Sequence, residues 1–217
     1  MLRSVRFMSY HAVHLTPDPA RTVVWEAIAE RLARWVPAQS HVLEIGAGYC
    51  AWINAVRAAR RLATDIWPEV AQHAGPGVEA RIVDASVGLR ALGVQTFDVV
   101  LASNVLEHFA ADTAAAIASD LFHLLRPGGR LLVIQPNFRY SWSNYFDDYT
   151  HRSIFTDVSL PAMLRAQGFA IDAVEPRFLP YSMRDTRLPI RRWLVRAYLR
   201  LPWKPMAGQM LVVARRD

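Results

Sequence analysis

The sequence is short of several residues and patterns, and each shortage excludes a class of protein. Cys50 is the only cysteine, which excludes an internal disulfide and a cysteine-rich metal site and favours a reducing compartment. No apolar run approaches the roughly 20 residues that a membrane-spanning helix needs. Residues 1–13 are interrupted by Arg3, Arg6 and His11, so we expect no signal peptide. These absences predict a cytoplasmic protein.

Lysine is also scarce, although the chain is basic. Among 25 basic residues only Lys204 is a lysine, and the formal net charge is +6. A composition rich in alanine and arginine but poor in lysine is typical of a GC-rich genome, so the charge favours solvated arginines over phosphate recognition. We therefore do not expect nucleic acid as a partner.

The composition otherwise indicates one folded domain. The 217 residues are 53% hydrophobic and 20% charged, without internal repeats or low-complexity tracts, and this length supports one well-buried core. We expect a single domain over residues 1–217, with an N-terminal helical segment at 1–40.

The most informative segment is residues 42–50, where an apolar run ends in two glycines. Gly46 and Gly48 lack the Cβ atoms that would prevent a sharp turn and close approach to a ligand. With Ala51, the spacing also fits the dinucleotide fingerprint, so a nicotinamide-dependent reductase is an alternative. Such an enzyme would need a Tyr-x-x-x-Lys pair or its equivalent, and the one lysine is Lys204.

Strand and helix patterns alternate along the chain. This alternation predicts a doubly wound, mostly parallel sheet, in which ligands bind beyond the carboxyl ends of the strands. We predict strands at 42–45, 62–64, 80–83, 97–102, 130–135, 169–174 and 210–214, and helices at 19–35, 51–59, 112–125, 156–167 and 189–201.

Three motifs make the chain resemble a class I S-adenosylmethionine-dependent methyltransferase, from about Val42 to Arg215. They are Leu43-Glu44-Ile45-Gly46-Ala47-Gly48, then Phe97-Asp98-Val99-Val100 running into Asn104-Val105-Leu106-Glu107-His108, and Leu125-Arg126-Pro127-Gly128-Gly129-Arg130-Leu131-Leu132. Residues 145–152 further resemble small-molecule methyltransferases found beside bacterial polysaccharide and secondary-metabolite genes.

The resemblance implies a single Rossmann-like domain with a seven-stranded sheet of order 3-2-1-4-5-7-6, the last strand being antiparallel. It also implies S-adenosylmethionine as the cofactor, bound across the ends of strands one to four. A carboxylate suits the ribose because its two oxygens can accept from two hydroxyls. The implied cofactor-binding residues are Glu44 and the amides of Gly46, Ala47 and Gly48 at the amino-acid end, Asp65 at the ribose, Asp84 and Ala85 at the adenine, and Asn104 at the methionine moiety.

An aromatic and polar segment, residues 138–156, is the predicted substrate loop. If the acceptor is a hydroxyl, a base must remove its proton, and we favour His151 over His108 for this role; the alternative is a salt-bridged lid that includes His151. The scattered carboxylates lack a metal-ligand spacing, so no metal is expected. The predicted substrate contacts are Asn137, Tyr140, Trp142, Tyr145, Tyr149 and Arg152.

The expected reaction is methyl transfer to a hydroxyl oxygen of a small molecule or a carrier-linked sugar or metabolite. A non-catalytic relative that binds the cofactor as a scaffold is the alternative, and a turnover assay with labelled cofactor separates the two.

The last feature is a basic helical insertion at residues 176–209. Arg192, Arg196 and Arg200 form one stripe on the predicted helix, opposite an apolar face of Ile190, Leu194, Ala197 and Leu201. The stripe predicts an anionic carrier or an anionic membrane surface as partner. The alternative is a surface helix whose arginines are merely solvated.

Overall fold

The computed structural model describes residues 18–181 and 190–217, which build a seven-stranded sheet with helices on both faces. The strand order is β3-β2-β1-β4-β5-β7-β6. Strands β1 to β5 pair in parallel, and β7 runs antiparallel to both of its neighbours. This arrangement confirms the predicted fold. The strands are β1 (His41–Ile45), β2 (Arg60–Asp65), β3 (Val78–Ile82), β4 (Phe97–Ser103), β5 (Leu125–Pro136), β6 (Ala170–Pro180) and β7 (Ala207–Arg215).

The helices follow the predicted order with shifted ends. The predicted helix 51–59 ends at Ala55 because Val56 adopts an extended conformation, and β6 and β7 reach further into the insertion than expected. Within the described ranges, no helix is long and apolar enough to cross a membrane. The helices are α1 (Pro19–Leu32), α2 (Ala51–Ala55), α3 (Val70–His73), α4 (Ala111–Leu124), α5 (Phe138–Ser141), α6 (Ser159–Ala166) and α7 (Arg192–Arg200), with 3-10 turns at Ala33–Trp35, Leu89–Leu92, Leu106–His108 and Tyr145–Asp147.

Alternation along the strands divides the core into two layers. Val42 faces the layer that holds buried residues of α1, α2 and α7, whereas Leu43 faces the layer that holds those of α4 and α6. Since both sheet faces are covered, the central strands are apolar at almost every position. Glu44 is the buried exception in β1.

Helix α1 begins as the sequence predicts, since the Asp18 side chain accepts a hydrogen bond from the Ala20 amide at 2.9 Å. The same helix corrects the interpretation of the basic stripe. Arg192 forms ion pairs with Glu26, at 3.1 Å, and with Glu30, and Arg196 also pairs with Glu30. Two of the three arginines therefore form ion pairs with carboxylates of this chain.

The buried face of α7 also differs from the predicted one. Val195 and Leu199 are the buried side chains of the helix, whereas Ala197 and Leu201 are exposed. The helix is rotated so that Val195 and Leu199 enter the core while its arginines reach the acidic side of α1. Arg200 stays exposed, and Arg184 and Arg187 lie outside the described residues.

Candidate active site

The register of the parallel strands brings four loops to one edge of the sheet. Ile45 lies opposite both Thr64 and Ala102, and Asp65 lies opposite Ile82, so β1 to β4 end at the same level. A cavity of about 620 Å³ opens there. It is lined by all eight residues predicted to bind the cofactor: Glu44, Gly46, Ala47, Gly48, Asp65, Asp84, Ala85 and Asn104.

The glycine turn after β1 leaves no room for a side chain at Gly46. Gly46 and Gly48 have φ angles of 63° and 49°, a left-handed conformation that glycine adopts without steric cost. A Cβ atom on Gly46 would also lie 2.5 Å from Cγ2 of Val105. The turn therefore presents bare backbone to the cavity, as a cofactor floor requires.

Glu44 is an acidic group buried in the cavity wall. Its side chain is 4% exposed, and its Oε2 atom accepts a hydrogen bond from the Ile53 amide at 3.1 Å. Desolvation raises the pKa of Glu44 to about 8, and repulsion from Asp65 adds to the shift. A cation bound beside this carboxylate would favour its charged form.

Two further carboxylates line the cavity and also accept hydrogen bonds from the turns in which they lie. Asp65 accepts from the amides of Gly48 and Trp67, both at 2.8 Å, and Oδ1 of Asp84 accepts from the Ser86 amide at 2.8 Å and its hydroxyl at 2.6 Å. Each carboxylate oxygen has two lone pairs, so these bonds leave acceptor capacity for ligand hydroxyls or amino groups. The turn role and the ligand role are thus compatible.

Other groups in the cavity wall were not predicted. Tyr49 and Trp67 line the cavity and meet edge to face at 5.2 Å, and His73, which is not among the lining residues, stacks on Trp67 at 5.1 Å. The indole Nε1 of Trp52 is buried without a hydrogen-bond partner among the described residues. Asn104 lies at the rim, exposed and with a φ of 52°.

The two predicted histidines lie side by side, but only His108 lines the cavity. Its Nδ1 atom lies 2.8 Å from Oγ1 of Thr150, and this hydroxyl donates to Asp148 at 2.5 Å. His151 lies behind it, with 5.0 Å between the ring centroids and with Nδ1 2.7 Å from the carbonyl oxygen of Tyr145. The histidine that faces the cavity is therefore His108, whereas the sequence favoured His151 as the base.

Glu107 completes this group, and the sequence interpretation gave it no role. Its side chain is fully buried, and neither carboxylate oxygen has a hydrogen-bond partner in the described part of the chain. Burial raises the pKa of Glu107 to about 8, and repulsion from Asp148 adds to the shift. The adjacent Glu107-His108 pair in the second motif was the signal that could have identified it.

None of the six predicted substrate contacts lines the cavity. Asn137 is buried and caps α5, since its Oδ1 accepts from the Arg139 amide at 3.3 Å while its Nδ2 donates to Asp157 and to the Pro176 carbonyl, both at 3.0 Å. Tyr145 is fully buried, and its hydroxyl donates to the Ser153 carbonyl. The structure gives Asn137 and Tyr145 supporting roles instead of substrate contact. Tyr140, Trp142, Tyr149 and Arg152 are exposed on the loop.

Solved structures with this fold include several methyltransferases. A SAM-dependent methyltransferase from Archaeoglobus fulgidus is 19% identical, with 88% of this chain and 94% of that chain covered at a TM-score of 0.64. An S-adenosylmethionine-dependent methyltransferase from Mesorhizobium loti is also 19% identical, with 88% and 98% covered at 0.63. The methyltransferase chain of a complex with the Trm112 methyltransferase activator of Haloferax volcanii is 14% identical, with 93% and 99% covered at 0.68. At these identities the likeness concerns the fold.

The sequence comparisons are more specific about the family. No curated protein sequence gives a significant match. Residues 20–174, however, match a family described as a methyltransferase domain, and this range contains the glycine turn, the acidic strand ends and His108. The buried Glu44 carboxylate, the bare turn at Gly46 and the acceptors Asp65 and Asp84 suit a ligand with an ammonium group and ribose hydroxyls. The chain belongs to the methyltransferase-domain family.

Proposed function

We propose that this protein transfers a methyl group from S-adenosylmethionine to a hydroxyl oxygen of a small molecule or of a carrier-linked sugar or metabolite. The observation that supports a hydroxyl acceptor is the position of His108. This imidazole lines the cavity, and the hydrogen-bonded chain through Thr150 to Asp148 orients its ring. An imidazole at this position can accept the proton of an acceptor hydroxyl that is bound beside the cofactor.

The residues at the strand ends would hold the cofactor in this proposal. When bound, it supplies an electrophilic methyl group on a sulfonium, so the protein has mainly to position the acceptor and exclude water. Glu44 would offset the ammonium group, and the carboxylates after β2 and β3 would accept from the ribose and the adenine. The proposed contacts are Glu44, the amides of Gly46, Ala47 and Gly48, Asp65, Asp84, Ala85 and Asn104.

The acceptor hydroxyl must lose its proton as its oxygen becomes a nucleophile. The Thr150 hydroxyl donates to Asp148 and therefore accepts from Nδ1–H of His108, which leaves the lone pair of that ring on Nε2. We assign the handling of the acceptor proton to the cluster of Glu107, His108 and His151, with His151 in a supporting position. Tyr140, Trp142, Tyr149 and Arg152 remain proposed contacts for the parts of the acceptor outside the cavity.

The test uses cofactor with a labelled methyl group and matched acceptor panels that carry a hydroxyl, an amine or an acidic carbon. We expect the hydroxyl acceptor to become a methyl ether that carries the label in its methyl group, as identified by mass spectrometry. His108→Ala should lower turnover by roughly 10² or more. The matched control is His123→Ala, since His123 lies exposed on α4 with Nδ1 2.7 Å from the Ser119 carbonyl oxygen.

Three results would contradict the proposal. Label on a nitrogen or carbon atom would refute a hydroxyl acceptor. Unchanged turnover in His108→Ala would refute the role of the His108 imidazole. Cofactor binding without turnover on any fraction of a cell extract would favour the scaffold alternative.

A further inference from the structure

Three side chains of metal-ligand type converge behind the cavity wall. Glu107, His108 and His151 each offer one ligand atom, and these atoms all lie within 4.8 Å of one another. The first two belong to the turn after β4, and the third comes from the loop that follows β5. Local sequence spacing therefore does not account for the group, because His108 and His151 are 43 positions apart in the chain.

The carboxylate of Glu107 lacks the partners that a buried charge needs. The side chain is fully buried, and both oxygens are without a hydrogen-bond partner among the described residues. A buried carboxylate in this condition is costly unless it is neutralised or matched by a cation.

Both histidines have an outer partner that orients them for ligation. Nδ1 of His108 lies against Thr150, and Nδ1 of His151 lies 2.7 Å from the Tyr145 carbonyl oxygen, to which it donates. A metal-binding histidine almost always donates its other ring N–H to an oxygen in this way. These bonds assign the ligand role to Nε2 in each ring.

The backbone holds the two halves of the group together. The amides of Arg152 and Ser153 both donate to the carbonyl oxygen of Glu107, at 2.8 Å and 3.1 Å, and the Ser153 hydroxyl donates to the Phe109 carbonyl at 2.7 Å. The loop that carries His151 is thus fastened directly onto the turn that carries Glu107 and His108. The convergence is therefore built into the fold.

We propose that Glu107, His108 and His151 bind a divalent transition-metal cation of the Zn²⁺ type. Two imidazole nitrogens and one carboxylate oxygen suit this ion, and three protein ligands leave a position open. Ligand atoms around such an ion lie about 3.4 Å apart, given metal–ligand bonds of about 2.1 Å, so side-chain shifts of about an ångström close the site. This proposal differs from the expectation, drawn from spacing alone, that no metal binds.

The site would deepen the proposed function, on which this part of the inference rests. His108 also lines the cavity, so a cation held there lies at its edge, where an acceptor oxygen can take the open position. With the metal bound, Nε2 of His108 is a ligand and no longer a base. A hydroxyl bound to the metal has a lowered pKa and releases its proton to solvent before its oxygen is methylated.

Metal binding is measured on the full chain after treatment with a chelator, with Zn²⁺ by calorimetry and with Co²⁺ by visible absorption. We expect one equivalent per chain and a higher melting temperature with metal. Glu107→Gln and His151→Ala should each weaken binding by more than about 100-fold, beyond the roughly 10- to 100-fold cost of losing an outer-shell partner, which Thr150→Val should show. His123→Ala, the control on α4, should bind the metal as the wild type does.

Circular dichroism establishes that each variant is folded. Substoichiometric binding to the wild type, or unchanged affinity in Glu107→Gln and His151→Ala, would overturn the site. Full O-methylation by metal-free enzyme would overturn the role given to the acceptor oxygen. Stoichiometric metal binding without hydroxyl methylation would refute the proposed function and leave the site standing, so the two failures are distinguishable.

Discussion

Glu44 should release a proton when the cofactor binds. Its carboxyl group is buried in the cavity wall and its pKa is raised to about 8 by desolvation. At pH 7 a group with this pKa is protonated in roughly nine molecules out of ten. A bound ammonium group favours the charged carboxylate and lowers its pKa, so binding should release about 0.9 proton per chain at pH 7.

The proton count comes from titration calorimetry of chelator-treated protein with S-adenosylmethionine at pH 7. The observed enthalpy should depend on the ionisation enthalpy of the buffer, and the slope counts the protons. Glu44→Gln should release almost none and bind the cofactor more weakly by roughly 1.5 to 3 kcal/mol, the value of a hydrogen bond to a charged group. Glu107→Gln removes the other carboxyl group with a pKa of about 8, and it should keep the release. Equal release from wild type and Glu44→Gln would refute this role.

The same pKa shift predicts how stability changes with pH in the absence of cofactor. The folded-state pKa of Glu44 lies above the ordinary glutamate value of 4.5. The stability that the protonated Glu44 contributes is therefore fully present below pH 4.5 and is lost as the pH rises towards 8. The shift corresponds to an upper limit of about 5 kcal/mol. Urea unfolding across this range should therefore show a smaller decrease in the unfolding free energy of Glu44→Gln than in that of the wild type. An identical decrease in both proteins would mean that Glu44 is not the titrating group.

Three more predictions test the glycine turn, the basic helix and the ribose site. Gly46→Ala should abolish measurable cofactor binding, because its Cβ would lie 2.5 Å from a methyl group of Val105. The control is Gly128→Ala, since Gly128 has a φ of 78° and open space around it. This control should lose only the backbone cost of about 1 to 2 kcal/mol in urea unfolding. Arg196→Ala should lower the urea midpoint of unfolding at pH 7, because it removes the ion pair with Glu30. The difference in midpoint from the wild type should shrink as the pH falls towards the Glu30 pKa of about 2. The acceptor KM and liposome binding should not change, and loss of liposome binding would contradict this prediction. Asp65→Asn should weaken cofactor binding by roughly 1.5 to 3 kcal/mol in calorimetry, and unchanged affinity in a folded variant would remove Asp65 from the ribose site.

The meeting of the strand-end residues in one cavity was predictable, because the position of each follows from the local strand pattern and from the strand direction. The strands alternate with helices, and parallel strands that start from the same side must end at one edge. Polar residues that directly follow different strands therefore meet there whatever their separation along the chain. Asp65 and Asp84 lie within one cavity with Gly46 for this reason.

The basic helix shows where the hydrophobic pattern was insufficient. Its arginines repeat every four residues, but the pattern does not say which neighbour they face. Glu26 and Glu30 of α1 lie beside them only after both helices have packed on the same sheet face. The rotation of α7 follows from the burial of Val195 and Leu199 against that face.

The residue types and their order thus specify the sheet, the glycine turn and the row of acceptors, since each depends on local conformation and strand direction. The placement of Glu107, His108 and His151 depends on how the loop after β5 folds back onto the turn after β4. Backbone hydrogen bonds to the Glu107 carbonyl hold that loop in place. Long-range contacts of this kind, and the burial that perturbs Glu107, have no periodic signature in the chain, because they arise only when distant segments pack together.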